Sequence, residues 1–187
     1  MTLPTLSSLP WKVADSLPEV SSAYSDDKWT VANKVKTENP FGLSTPTVLF
    51  AGEYGYHTGN ILWRAHFNAT GSETGFQVKL TGGSAFGFSV WLGPTFIGSW
   101  VGDAVHSTYE GTFKFPQALK PGQSSVITIV QDHMGYEEDW WAASDSFKEP
   151  RGVRSYSFIN SPTTQVSVWK VTGNLGGESV SFFHKKP

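Results

Sequence analysis

What constrains this chain most is how often its apolar runs are broken. Segments alternate, or run apolar for a few residues, and then meet Gly, Pro, Asn or Asp. Turn signals are dense at Gly82-Gly83, Gly93-Pro94, Pro121-Gly122 and Gly173-Asn174-Leu175-Gly176-Gly177. Punctuation at a spacing of roughly 8–12 residues leaves room for short strands and none for long helices. The intervening segments are Thr47–Phe50, Asn60–Phe67, Gly75–Leu80, Phe86–Leu92, Thr108–Phe115, Ser124–Gln131, Gly152–Phe158 and Gln165–Val171. Many are rich in the β-branched and aromatic residues that suit a pleated, half-buried surface. Strand alternation places Ile61, Trp63, Ala65 and Phe67 on one face and Leu62, Arg64 and His66 on the other. In the last segment Val166, Val168 and Lys170 oppose Gln165, Ser167, Trp169 and Val171. Only Asp15–Val35 reads as partly helical, and Pro18 limits it; Ser25–Trp29 can cap one short turn. The pattern predicts an all-β sandwich or barrel.

Composition removes competing classes. With 19 Gly, 11 Pro and 16% charged residues the chain is not a helical bundle or coiled coil. Aromatic residues at 14% exclude disorder throughout. A formal net charge of −2 gives no electrostatic footprint for nucleic acid. The absence of cysteine excludes disulfide scaffolds, thiol catalysis and Cys-ligated zinc. No run approaches the ~20 apolar residues of a membrane span. Pro4, Ser7, Ser8 and Pro10 interrupt any secretory leader, so the expectation is a cytoplasmic chain unless a leader was removed.

One stretch is more specific. Gly52-Glu53-Tyr54-Gly55-Tyr56-His57-Thr58-Gly59-Asn60 resembles the first jelly-roll domain after the catalytic barrel of fungal β-galactosidases of glycoside hydrolase family 35. The likeness continues through Trp63–Phe67, Gly82–Phe86, Val90–Leu92, Gly98–Trp100, Asp132–Gly135 and Pro150–Val153, and ends at Trp169–Glu178. It includes Leu9-Pro10-Trp11, Asp15–Glu19 and Asp27-Lys28-Trp29. The resemblance implies a jelly-roll β-sandwich of two antiparallel sheets over residues 40–178, an irregular N-terminal segment over 1–39 packed on it, and a diverged tail over 179–187. The family's acid and nucleophile belong to its barrel, and a barrel of roughly 250 residues does not fit in this length. The expected function is a non-catalytic, carbohydrate-associated or interaction module. The alternative is a small-molecule enzyme, a cyclase, isomerase or lyase, that uses a pocket in the sandwich.

Glycoside hydrolysis usually needs two carboxylates across a cleft. Glu53, Glu110, Asp132, Glu137, Glu138, Asp139 and Asp145 are available, but the Glu137–Asp139 run reads as a solvated loop and Glu53 as a structural acceptor. Groups for any diverted acid–base chemistry are His57, His66, Asp132, His133 and Tyr54, although adjacent strand residues point Asp132 and His133 to opposite faces. Candidate ligand contacts are Tyr54, Tyr56, His57, Arg64, Trp140 and Trp141, the last two in a predicted loop. Arg64 is expected against a carboxylate such as Glu53 or Asp132, or on a ring, and Arg151 as a clamp between loops. No pattern calls for a metal or cofactor. A surface that covers a barrel in the parent enzymes makes a homodimer or partner protein the expected companion.

Overall fold

The alternation along Ile61–Phe67 becomes a strand, β2, spanning Gly59–Asn68. The computed structural model of the chain describes residues 17–21, 23–37, 39, 41–135 and 150–173. These form nine strands: β1 Thr30–Val31, β2, β3 Gly75–Thr81, β4 Phe88–Leu92, β5 Thr95–Trp100, β6 Thr108–Lys114, β7 Ser124–His133, β8 Gly152–Ile159 and β9 Val166–Gly173. They make two antiparallel sheets, one of six strands in the order β1-β9-β2-β7-β4-β5 and one of three in the order β6-β3-β8. The expected all-β sandwich is therefore what the chain forms, with β3, β6 and β8 each crossing to the smaller sheet.

The core lies between the sheets. Ile61, Trp63, Ala65 and Phe67 are buried there with Phe76, Val78 and Leu80 of β3, Val90 of β4 and Ile127 and Ile129 of β7. Full burial of each large apolar side chain is worth about 1.5–3 kcal/mol. Trp63 and Trp169 meet edge to face at 6.5 Å. One amide is admitted to this core because it is satisfied. Gln131, fully buried, donates from Nε2 to the Thr81 carbonyl at 2.7 Å and accepts the Trp63 indole N–H at 3.3 Å, so it ties one sheet to the other.

One end of the sandwich is closed by a carboxylate. Glu73, 1% exposed, accepts the Thr70 amide at 2.7 Å and hydroxyl at 2.8 Å, the Gly71 amide at 3.0 Å and the Thr164 hydroxyl. It thereby joins the β2–β3 turn to the β8–β9 turn. Burial alone would raise this carboxyl, but the hydroxyl and amide donors pull it down to about 2.

Two strands carry weak sequence signals. β5 follows the Gly93-Pro94 turn, where Gly93 supplies the positive φ of 52° that a two-residue hairpin asks of its first central residue. β5 is an edge strand with little burial, so it lacks the apolar alternation that marks its neighbours. β1 contributes two residues, paired to Val171 and Lys170. The predicted strand Thr47–Phe50 is reduced to one bridge, Phe50 to Gly152, flanked by the Val153 amide on the Leu49 carbonyl at 2.9 Å. Gly152 is required there, since a Cβ would stand 2.0 Å from that carbonyl oxygen. Among the described residues of Asp15–Val35 the partly helical reading shrinks to a 3-10 turn at Pro18–Val20 and to turns closed by the Tyr24 amide on the Ser21 carbonyl at 3.1 Å and the Trp29 amide on the Asp26 carbonyl at 3.0 Å.

Candidate functional site

The outward residues of β2 are not left to solvent. Antiparallel register sets Arg64 between Thr128 of β7 and Lys170 of β9. Across this face runs the segment Ala23–Trp29. Asp26, 4% exposed, receives the Arg64 Nη1–H on Oδ2 at 2.8 Å and the Lys170 ammonium on Oδ1 at 2.8 Å. His66 Nε2 lies 2.6 Å from the same Oδ2. The Arg64 guanidinium also sits 5.4 Å from the Tyr24 ring and 5.9 Å from the Trp29 ring, and the Trp29 indole donates to the Tyr24 hydroxyl at 3.1 Å. Burial would raise the Asp26 carboxyl, but the bonds from Lys170 and His66 and the Arg64 charge hold it below the usual carboxylate range. Arg64 therefore does meet a carboxylate and a ring, as its position predicts. The carboxylate is Asp26, not Glu53 or Asp132: Glu53 is engaged by Thr37 and Lys34, and Asp132 faces solvent.

Beside this cluster is a cavity of about 470 Å³. Val20, Ser21 and Tyr24 form one wall, Arg64 and His66 the floor, and the β4–β5 hairpin, the β6–β7 loop and Ser124–Val126 the remainder. Gln117, Gln123, Ser124 and Ser125 add amides and hydroxyls. Among the described residues no Asp or Glu lines it. Arg64, 4% exposed, keeps a buried Nε with no hydrogen-bond partner among the described residues, and so does the Thr128 hydroxyl directly across the strand pair.

The other candidates lie elsewhere. Tyr54 ends a 3-10 turn at Ala51–Tyr54; its hydroxyl donates to the Val48 carbonyl at 2.8 Å and accepts the Lys34 amide at 3.2 Å. Burial, and next to it the Glu53 charge, push this phenol up against the opposing effect of the Lys34 amide. Tyr56 meets the Thr30 hydroxyl at 3.3 Å and packs on Gly173. His57 is exposed. Asp132 and His133 do point to opposite faces, exposed and buried respectively. His133 accepts the Gly135 amide on Nδ1 at 3.0 Å, and burial together with the Arg151 charge pushes it down to about 4. Arg151, buried, donates from Nε to the Gly135 carbonyl at 3.1 Å and lies over Gly83, the loop clamp that its position predicts. Trp140 and Trp141 lie outside the described residues. The acid–base set is thus divided: His66 stands on the outer face with Asp26, while Tyr54 is committed to its own loop. Among the described residues no three His, Asp or Glu converge as a metal-binding group, and no helix is long and apolar enough to cross a membrane.

Asp26, Lys170, Tyr24 and Trp29 were not among the candidates read from the sequence. Lys170 alone carried a local signal, an outward cation in an alternating strand.

Comparison with known proteins places the chain. The profile described as β-galactosidase second all-beta domain matches residues 24–137, which takes in Tyr24, Asp26, Arg64 and His66. Relatives include β-galactosidase A of Aspergillus niger, 47% identical over 179 residues, β-galactosidase A of a Penicillium species, 46% identical over 178 residues, and a probable β-galactosidase A of Aspergillus fumigatus, 45% identical over 177 residues. These alignments cover 94–95% of this chain and 17–18% of each relative, so the chain spans under a fifth of their length.

Proposed function

The chain belongs to the family of β-galactosidase second all-beta domains, and on that premise we propose that it is a carbohydrate-associated module of the glycoside hydrolase family 35 type that does not hydrolyse glycosides itself. The observation that carries this is the match over 94–95% of the chain to under a fifth of each relative. The cavity agrees with the chemistry. Hydrolysis asks for two carboxyl groups about 5–9.5 Å apart across the scissile bond, and among the described residues none lines this cavity. What it offers instead is a ring, Tyr24, and planar and hydroxyl groups from Arg64, Gln117, Gln123 and Ser124, the mixture that suits a sugar. The test is calorimetry of the folded chain with galactosides, beside an assay of nitrophenyl-galactoside cleavage. Saturable binding without turnover is expected. Turnover, or folded protein with no heat of binding for any galactoside, overturns the reading.

A second reading, an interface with a partner protein or a second copy, is favoured by one stretch of the chain. Phe96, Val101 and Val105 are 54%, 90% and 80% exposed on β5 and the loop after it, and exposed apolar groups in one region favour association. Light scattering that gives a monomer, with no complex on mixing with the rest of a parent enzyme, would count against it.

A further inference from the structure

Resting on the carbohydrate reading, we propose that the cavity takes an acidic saccharide, a sugar carrying a carboxylate of the uronic-acid class, with Arg64 receiving the carboxylate. Three observations converge. First, among the described residues the wall carries an arginine and a histidine and no acidic side chain. The nearby carboxylate is already spent, because Asp26 Oδ1 holds Lys170 and Oδ2 holds both Arg64 and His66. Asp27, 3.9 Å from Lys170, has a side chain 90% exposed and is screened by water.

Second, Arg64 has donors to spare. A guanidinium offers five N–H groups. Among the described residues only Nη1 is engaged, with Asp26 at 2.8 Å and the Tyr24 carbonyl at 3.5 Å. Nε is buried without an acceptor, on a side chain 96% out of solvent by its 4% residual exposure. The Nε and Nη2 donors of an arginine run parallel and accept a carboxylate side-on, whereas one sugar hydroxyl fills only one of them. Leaving a buried charged donor unmet costs more than the bond is worth.

Third, the orphaned Thr128 hydroxyl stands in direct register with Arg64, so two unmet polar atoms are neighbours on one patch of sheet. Of the two residues only Arg64 lines the cavity, so the guanidinium is the group that a ligand's acceptors would meet. The volume of about 470 Å³ lies within the usual range of about 300–1,000 Å³ for small-molecule sites. Gln117, Gln123 and Ser124 remain for the hydroxyls of the ring.

The test titrates the 187-residue chain with galacturonate, galactose, acetate and inorganic phosphate by calorimetry and amide NMR at pH 7. Galacturonate is expected to bind about tenfold or more tighter than galactose, the factor that one charge-assisted bond supplies. Acetate and phosphate should bind more weakly than galacturonate. Arg64→Lys should remove that preference. In case Arg64→Lys disturbs the fold, Gln117→Ala alters an exposed loop residue of the cavity wall and should weaken galacturonate while leaving acetate unchanged. Equal affinity for galactose and galacturonate overturns the acidic class and leaves the carbohydrate reading standing. Acetate or phosphate binding as tightly as galacturonate overturns the sugar component of the inference. Absence of binding by every probe to folded protein overturns both readings.

Discussion

Neutralising Glu73 should unfasten the end of the sandwich where the β2–β3 and β8–β9 turns meet. Four donors converge on this carboxylate, which holds it at about 2 against an ordinary value of 4.5. Between those two values the unfolded chain binds a proton that the native chain does not, so stability falls as the pH falls. The contribution is complete above pH 4.5 and gone once the pH has passed below 2. At about 1.36 kcal/mol for each tenfold in proton affinity, it amounts to about 3 kcal/mol at pH 7 and about 1 kcal/mol at pH 3. Glu73→Gln keeps the shape but turns an N–H pair toward the Gly71 amide, donor against donor. Urea unfolding of the two proteins should therefore differ by about 3 kcal/mol at pH 7, a midpoint shift of about 1.5 M for an m-value near 2 kcal/mol/M. The difference should shrink to about 1 kcal/mol at pH 3. Equal midpoints at pH 7 would refute the role given to the carboxylate. A difference of the same size at both pH values would show that the loss is one of packing and not of charge.

Other outcomes follow from the same geometry. Asp26→Asn strips the counter-ion from the buried Arg64 and from Lys170 and should cost about 3–5 kcal/mol in urea unfolding; a loss below about 1 kcal/mol would mean that the cluster is effectively solvated. His133 is buried and held at about 4, against 6.5 for a free imidazole. Because its native value is depressed, its contribution is full above pH 6.5 and is lost as the pH falls through 4, about 3 kcal/mol in all. His133→Asn should flatten the stability profile in that window, and an unchanged slope would refute the assignment. Gly152→Ala sets a methyl 2.0 Å from the Leu49 carbonyl oxygen at a φ of +148° and should cost about 3 kcal/mol or more by thermal melting; a variant that melts with the parent would contradict the close approach of the two segments.

How far the residues disclosed this structure depends on the range of the interaction. The two faces of β2 were legible from seven residues, because strand alternation is local and the inward set is uniformly apolar. The β4–β5 hairpin was announced by Gly93-Pro94, yet β5 itself was not, since an exposed edge strand needs no apolar face. Arg64 stood out as a cation among aromatics, but its partner lies in an irregular segment far upstream, where no periodicity marks Asp26. Glu53 and Asp132 were the plausible acids, and their own neighbours had already claimed or exposed them. Glu73 carried no signal at all: a glutamate after Gly71 and Ser72 looks like any solvated turn until Thr164, from the other end of the chain, is set beside it.

The segment across the outer face of the larger sheet has a kinetic consequence. Val20, Ser21 and Tyr24 form a wall of the cavity, and the same stretch is anchored through Asp26 and, further on, through the Ala32 amide on the Trp169 carbonyl at 2.8 Å. This strap is anchored on the Arg64 guanidinium through Asp26 and the rings of Tyr24 and Trp29, the same group proposed above to receive the ligand. In the proposed binding mode, release of the saccharide should therefore rise and fall with solvent exchange of the Trp29 and Ala32 amides, which are held by the Asp26 and Trp169 carbonyls.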